Sequence, residues 1–279
     1  MIQIAEIFGH DYEDRSSKAQ VDRAGKICPF RASPCTKSNK SDPLGVCTLS
    51  DGKLATALCP VRFLEKDKIF TDVASMAFGP GVQFAVFPEI RILRIESGDD
   101  GEKKIGKVDF LLGRLSEAVV TDFCAVEVQA VYFSGTSIRP SFGAYLEGRE
   151  LTVKDVTRRP DFRSSAQKRL FPQLMLKVPV FRRWGKKFFV VVDSHFLGQL
   201  PKPPSVSSSN SELTWLGYPI QRGILGGYSL GDPEVCHSLW DDVASSLREG
   251  MAPEKDEITA ELQSKLTLGG PRRPRVLTS

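Results

Sequence analysis

The chain has 279 residues, enough for one large domain or two small ones around a buried core. Apolar residues make up 41% and charged residues 26%, as in ordinary soluble globular proteins, and the net charge is only +4. No apolar run approaches the roughly 18 residues of a membrane-spanning helix, and the N-terminus lacks a secretory signal pattern, so we expect a cytoplasmic protein.

Cysteines are concentrated in residues 21–62, which are also rich in proline and glycine and show no clear helical or strand period. Four of the six cysteines lie close together in the chain: Cys28, Cys35, Cys47 and Cys59. In a cytosolic protein such a cluster indicates a metal site more than disulfides, and thiolate ligands suit zinc or iron. None of the spacings is C-x2-C, so four structural cysteines stay an alternative. Cys124 and Cys236 are predicted to be buried thiols.

The next part of the chain predicts a helix and three strands. The helix covers residues 68–78. Strands at 89–96 and 106–114 form a hairpin through a glycine-containing turn at 97–104. The third strand, FCAVEVQAVYF at 123–133, is apolar enough to be central in a sheet.

Two polar side chains interrupt this apolar strand. Glu127 and Gln129 are two residues apart, so on a strand they point to the same face. A buried carboxylate is costly unless it is paired or holds a metal. The alternative to a functional role is an ordinary ion pair of Glu127 with Arg114 or Lys107.

A second acid, Asp109, lies within the apolar segment KVDFLL. If the two strands are neighbours, Asp109 and Glu127 approach each other, and a Mg²⁺ ion would relieve their repulsion. Glu89 would complete this carboxylate cluster, with Glu96 as the competitor for that position.

Beyond residue 160 the pattern alternates between helix and strand. Apolar residues recur at helical spacing: Leu170, Phe171, Leu174, Met175 and Val178. KKFFVVVDSHF (186–196) and LTWLGY (213–218) are predicted strands, joined by a flexible Pro/Ser-rich loop at 201–211. Residues 238–265 are predicted to be helical, with an interruption near Pro253. The fold class is therefore α/β (α+β), a mixed sheet flanked by helices.

Positive charge is dense in the segment from Arg158 to Lys187. This segment contains ten Lys/Arg, its two end residues included, and one acid, Asp161. This density predicts an anionic partner. The alternative is a solvated helix face.

The order of an acid, a hairpin, Asp109 and a Glu-x-polar motif resembles the PD-(D/E)xK nuclease superfamily. In that superfamily the Asp and Glu hold divalent metal, and the polar residue after them aligns the attacking water. The segments CPF, GVC, CPVRF, KVDFLL and FCAVEVQAVYFSG together resemble the NotI-type restriction endonucleases, over at least residues 26–135. Glutamine replaces the superfamily's usual lysine at Gln129, and glutamine is the residue expected within this family.

The resemblance implies a homodimeric type II enzyme that uses Mg²⁺ to cut both strands of a long, GC-rich palindrome and leaves 5′-phosphates. It implies an N-terminal region (1–66) with a structural four-cysteine iron site and a PD-(D/E)xK core with a C-terminal helical region (67–279). The catalytic residues by matching motifs are Glu89, Asp109, Glu127 and Gln129. The Mg²⁺ ligands are Asp109, Glu127 and the Val128 carbonyl. The iron ligands are Cys28, Cys35, Cys47 and Cys59.

On this interpretation the partner is double-stranded DNA, with phosphate contacts from Arg158, Arg159, Arg163, Lys168 and Arg169. Base contacts are expected from Arg31, Arg139 or Gln167. A palindromic site calls for a homodimer, and a host that carries such an enzyme needs a DNA methyltransferase of matching specificity. Two alternatives remain: a non-catalytic DNA-binding or regulatory protein with a four-cysteine metal module, and a repair nuclease of the same superfamily without sequence specificity.

Overall fold

The computed structural model describes these parts of the chain: residues 3–37, 44–52, 55–96, 102–134, 159–223, 226–248, 254–267, 274 and 276–277. The strands of these parts, in chain order, are β1 (Gln3–Ile7), β2 (His10–Asp11), β3 (Ile27–Cys28), β4 (Ser33–Pro34), β5 (Val46–Ser50), β6 (Ala55–Ala57), β7 (Phe84–Glu96), β8 (Glu102–Ser116), β9 (Val119–Val128), β10 (Phe133–Ser134), β11 (Arg159–Pro160), β12 (Phe188–Asp193), β13 (Leu213–Tyr218), β14 (Ile220–Arg222), β15 (Tyr228–Leu230) and β16 (Glu234–Ser238). The α-helices are α1 (Ser17–Ala24), α2 (Lys68–Phe78), α3 (Phe162–Ser165), α4 (Phe171–Arg183), α5 (Ser194–Gln199), α6 (Trp240–Arg248) and α7 (Lys255–Thr267).

The chain divides into two compact units, residues 1–247 and residues 248–279. The first unit contains all the strands of the described residues, and α7 lies in the second. Among the helices that the structure describes, none is long and apolar enough to cross a membrane.

The main sheet has six strands in the order β16-β13-β12-β9-β8-β7. β7, β8 and β9 are consecutive antiparallel neighbours. β12 then pairs parallel with β9, and β13 parallel with β12. This is a mixed sheet with β9 near its centre, as the sequence predicted, because the apolar residues of β9 need cover on both faces.

Helices cover both faces of the main sheet. On one face, Ile69 and Val73 of α2 pack in a core cluster with Leu112 and Val126 of the strands. On the other face, Leu174 and Val178 of α4 pack with Ala125, Val190 and their neighbours. Since strand side chains alternate, Glu127 lies on the same face as Ala125, beneath α4.

A second six-stranded sheet, in the order β15-β14-β6-β5-β1-β2, has no counterpart among the sequence-based predictions. Its strands are short and come from both ends of the compact unit, so local patterns give a weak signal for it. The fully buried Arg62 anchors the segment that follows β6: its Nε donates to Glu6 of β1 at 2.7 Å, and its guanidinium stacks on Phe30 at 4.8 Å.

The predicted mixed sheet flanked by helices is confirmed, as are the helix at 68–78, the hairpin and the strand at 213–218. The interrupted helical region near the C-terminus is confirmed as α6 and α7; Pro253 itself lies outside the described residues.

Several predicted element bounds are wrong. β7 begins at Phe84, five residues before the predicted strand, and β8 takes in residues 102–104 of the predicted turn. β9 ends at Val128 instead of continuing to 133. The predicted strand at 186–196 ends at Asp193, whose carboxylate accepts from the N–H of Phe196 and so begins α5.

Candidate active site

A cleft of about 1040 Å³ lies between the cysteine-rich segments and the β7–β9 part of the main sheet. The main sheet contributes Glu89, Asp109, Val128 and Gln129 to its lining. The other walls carry Arg31, Lys37, Tyr132, Arg169 and Gln173, together with several apolar residues. The predicted catalytic residues Glu89, Asp109 and Gln129 thus meet at one cleft, and Glu127 lies buried next to its Val128 wall.

Asp109 extends from β8 into this cleft, and its Oδ2 accepts the backbone N–H of Val128 at 3.0 Å. This bond ties the carboxylate to the end of the neighbouring strand. Burial raises the pKa of Asp109 above its usual value, and the nearby Glu89 carboxylate acts in the same direction. A raised pKa is expected where carboxylates crowd together in a partly dry site.

Glu127 is only 2% exposed and forms a buried ion pair with Lys177 of α4. Lys177 donates to both oxygens of Glu127, at 2.7 and 2.8 Å. Burial raises the pKa of Glu127 to about 7, and the charge of Asp109 adds to this increase while Lys177 opposes it. The alternative partners considered from the sequence, Arg114 and Lys107, are therefore wrong: the partner of Glu127 comes from a helix 50 residues further along the chain.

Glu89 occupies the position opposite Asp109, between Pro88 and Ile90, which pair with Phe110 and Val108. Its φ of 58° lies in the left-handed region, which is uncommon for a residue other than glycine and often marks a functional site. The Glu89 carboxylate accepts from Lys107 Nζ at 2.8 Å, and this contact lowers its pKa.

The competitor Glu96 stands at the far end of β7, opposite Glu102. It is seven residues further along the strand than Glu89, a distance of roughly 23 Å at ~3.3 Å per residue. Glu89 is thus the acid that the fold brings to the cleft.

Gln129 lies just beyond β9, and its backbone N–H bonds to Val191 O at 2.9 Å. Its side-chain Nε2 donates to the carbonyl of Ala130. The amide oxygen Oε1 is then the group that can accept a hydrogen bond from a water in the cleft.

The four N-terminal cysteines are neighbours in the structure. Cys28 lies in the β3–β4 ribbon, and the N–H of Cys59 bonds to Cys47 O at 3.2 Å. Burial raises the pKa of Cys28, Cys47 and Cys59, and these thiols are close enough for neighbouring cysteines to add to the increase.

Backbone N–H groups lie towards three of these sulfurs. Those of Phe30 and Arg31 face Cys28, that of Val61 faces Cys59, and that of Gly9 faces Cys47, and each lowers the thiol pKa. Hydrogen bonds of this kind stabilise thiolates and accompany metal–thiolate sites. Nevertheless, among the described residues no three His, Cys, Asp or Glu side chains have the arrangement of a metal site.

A comparison with protein families matches residues 13–229 to the restriction endonuclease NotI family. The matched span includes all four clustered cysteines, the cleft and five complete strands of the main sheet, β7, β8, β9, β12 and β13. The chain belongs to the NotI restriction endonuclease family. A comparison with curated protein sequences gave no match.

Membership of the NotI family implies a site-specific nuclease, a hydrolase that acts on double-stranded DNA. Restriction endonucleases generally use Mg²⁺. The carboxylate oxygens at the site fit such an ion: Asp109 bonds the Val128 N–H through one oxygen only, and burial raises the pKa of both Asp109 and Glu127, a cost that a bound divalent cation would offset.

The basic segment predicted to contact DNA is not one continuous face. Arg158 and the predicted base reader Arg139 lie outside the described residues, and the side chain of Arg159 is not described. Arg163, Lys168 and Arg169 are exposed, and of these three Arg169 lines the cleft, 4.2 Å from the ring of Tyr132. Other members of the segment are engaged within the fold: Lys177 with Glu127, Arg182 with Glu212, Lys186 with Asp122 and Lys187 with Ser208 O.

Lys177 is a site residue that the sequence-based predictions do not include, because the segment around it is predicted to be a basic surface. The sequence nevertheless contains a signal that Lys177 is buried. Lys177 is three residues after Leu174 and four before Phe181, so it occupies the apolar face of α4. A lysine at a core-facing helix position calls for a buried anionic partner.

Proposed function

We propose that the chain is a type II restriction endonuclease with a PD-(D/E)xK core, which cuts both strands of a GC-rich palindromic site in a Mg²⁺-dependent reaction. The observation that carries this proposal is the cleft that assembles Glu89, Asp109 and Gln129 beside the buried Glu127 in a chain of the NotI family. In support of the core, Asp109 and Glu127 lie on adjacent strands of a mixed sheet flanked by helices.

Asp109, Glu127 and the Val128 carbonyl would hold the Mg²⁺, and Glu89 would hold a second ion or help to activate the water. A bound Mg²⁺ lowers the pKa of a water molecule and neutralises charge on the phosphate. Gln129 Oε1 would accept from that water and align it with the phosphorus. In-line attack with departure of the 3′-oxygen leaves a 5′-phosphate and a 3′-hydroxyl.

We also propose that Cys28, Cys35, Cys47 and Cys59 hold a structural metal ion within an N-terminal module of residues 1–66, with the nuclease core in 67–279. The support is their proximity, their burial and the N–H groups that face three of the sulfurs. Thiolate ligands suit both zinc and iron, and the family resemblance favours iron.

Two basic residues of the proposed N-terminal module line the cleft that would hold the DNA. Arg31 follows Cys28 by three residues, its backbone N–H bonds to Cys28 O, and its side chain lines the cleft near Glu89. Lys37 lines the cleft from the same segment, and Arg169 from the other wall. Positive side chains around a nuclease cleft would contact phosphates and position the duplex.

We propose a phosphate contact for Arg31, in place of the base contact expected from the sequence. Arg31→Ala is then expected to weaken DNA binding and to lower the slope of log K against log salt by about 1, because this contact is lost. The measurement is fluorescence anisotropy with a labelled duplex at several salt concentrations in EDTA. Lys202→Ala, an exposed lysine in the Pro/Ser-rich loop, is the control and should leave the slope unchanged. Equal slopes for the two variants would remove Arg31 from the proposed interface.

A palindromic target would require two catalytic sites related by a two-fold axis, so the proposed active form is a homodimer. A cell that contains this enzyme would also need a methyltransferase that protects the same site.

The direct test is digestion of unmethylated, GC-rich phage DNA with Mg²⁺ and, in parallel, with EDTA. Discrete fragments that appear only with Mg²⁺, and that DNA ligase rejoins, are expected; sequencing of their ends would give the target. A smear would instead indicate a repair nuclease without sequence specificity. DNA binding without any cleavage across diverse sequences would favour a non-catalytic DNA-binding protein.

A further inference from the structure

Lys177 brings a positive charge to Glu127 from α4, on the face of the main sheet that this helix covers. Its ammonium group makes three contacts: two to Glu127 and a third to Gln173 Oε1 at 2.7 Å. These are all the hydrogen bonds that an ammonium group can donate. The side chain is 3% exposed, so water does not compete for these bonds.

Gln173 connects this buried pair to the cleft. It lies four residues before Lys177, on the same face of α4, and it lines the cleft wall. Since its oxygen accepts from Lys177, its amide N–H groups are the part available to the cleft. Lys177 therefore sets the orientation of two side chains at once, one carboxylate and one amide.

The distribution of charge at the site also indicates a role for Lys177 in the reaction. The PD-(D/E)xK pattern places a lysine two residues after the glutamate, and here that position is Gln129, which has no charge. Lys177 reaches Glu127 from α4 instead. Stability does not account for such a pair, because replacing a buried ion pair with apolar residues of similar volume is often neutral or stabilising.

We propose that Lys177 is a positioning residue for DNA cleavage, which holds Glu127 and Gln173 and supplies the positive charge that Gln129 does not provide. This inference rests on the proposed function, since it assigns a role within that reaction. Partners that orient metal-binding carboxylates typically contribute about 10- to 100-fold to activity.

The test compares Lys177→Met with the wild type under saturating Mg²⁺ and DNA. The expected result is a decrease in kcat of about 10- to 100-fold, with KM and the DNA dissociation constant in EDTA within about threefold of wild type. Rates are normalised to the folded fraction, measured as DNA-binding stoichiometry. Lys68→Met is the control. It also removes a lysine from ion pairs, which Lys68 forms with Asp72 and Asp232, but Lys68 lies on α2, the helix that covers the opposite face of the main sheet.

If the methionine variant does not fold, Lys177→Gln replaces it, because its amide still donates a hydrogen bond to Glu127 but carries no charge. A purely structural role would lower the melting temperature and leave the kcat of the folded fraction unchanged, which would overturn the proposal. If the wild type cuts DNA and the Lys177 variants cut as fast, only the positioning role is wrong. If the wild type binds DNA and cuts none, the proposed function fails and the positioning role fails with it.

Discussion

Asp109→Asn should abolish DNA cleavage and leave DNA binding intact. The asparagine retains the size of the side chain and an oxygen that accepts the Val128 N–H, but it loses the negative charge that a divalent ion requires. Loss of one charged metal ligand removes several kcal/mol of transition-state stabilisation, so the cleavage rate should decrease by at least about 10³-fold. Single-turnover cleavage of a duplex that contains the target site is the measurement.

The control for this variant is Asp122→Asn, on β9. Asp122 pairs with Lys186 and is not part of the cleft lining, so its variant should cut at the wild-type rate. A cleavage rate for Asp109→Asn within tenfold of wild type would exclude Asp109 as a metal ligand.

The structure also shows why Asp109 is the better position than Glu127 for this experiment. Glu127→Ala would leave the ammonium group of Lys177 buried without its carboxylate. Breaking a buried ion pair by removal of one partner costs about 3–5 kcal/mol, so lost folding and lost catalysis would be mixed. Glu127→Gln keeps an oxygen for Lys177 and is the more informative variant at that position.

Cys47→Ala is expected to remove the metal ion from the N-terminal module and to unfold that module. Structural metal ions in small thiolate sites contribute roughly 10–16 kcal/mol of apparent binding free energy, which equals or exceeds the total stability of a typical domain. Elemental analysis should give one metal ion per wild-type chain and none for the variant. An absorption band from thiolate to iron would identify iron, and a colourless protein with zinc would refute that assignment.

Loss of the metal ion should also weaken DNA binding, because the cysteine-rich segments hold Arg31 and Lys37 at the cleft. Cys124→Ala is the matched control, since Cys124 is also buried but lies in the main sheet, outside the proposed module. It should retain the metal ion and lose only the stability expected for a small cavity. The four-cysteine site is wrong if both alanine variants have the same metal content and the same melting temperature.

The parts of the fold with strong local signals were predictable. The helix at 68–78 and the hairpin of β7 and β8 each combine a clear period with turn residues at their ends, and both are present. The second sheet was not predictable, because its strands are two to five residues long and one of its pairings, that of Ile220 with Ala55, spans more than 150 residues of sequence. No local pattern specifies a pairing over that distance.

The sequence by itself determined the family and the α/β class, and it indicated two acids of the candidate site. Carboxylates within apolar strands are costly, so Asp109 and Glu127 stand out wherever they are buried. Only the tertiary structure decided which acid joins them and which cation meets Glu127. The left-handed backbone conformation of Glu89 within β7 and the packing of α4 bring Glu89 and Lys177 to their positions. Both positions depend on contacts between different segments of the chain. Sequence patterns record only short-range periods, so they carry no information on such contacts.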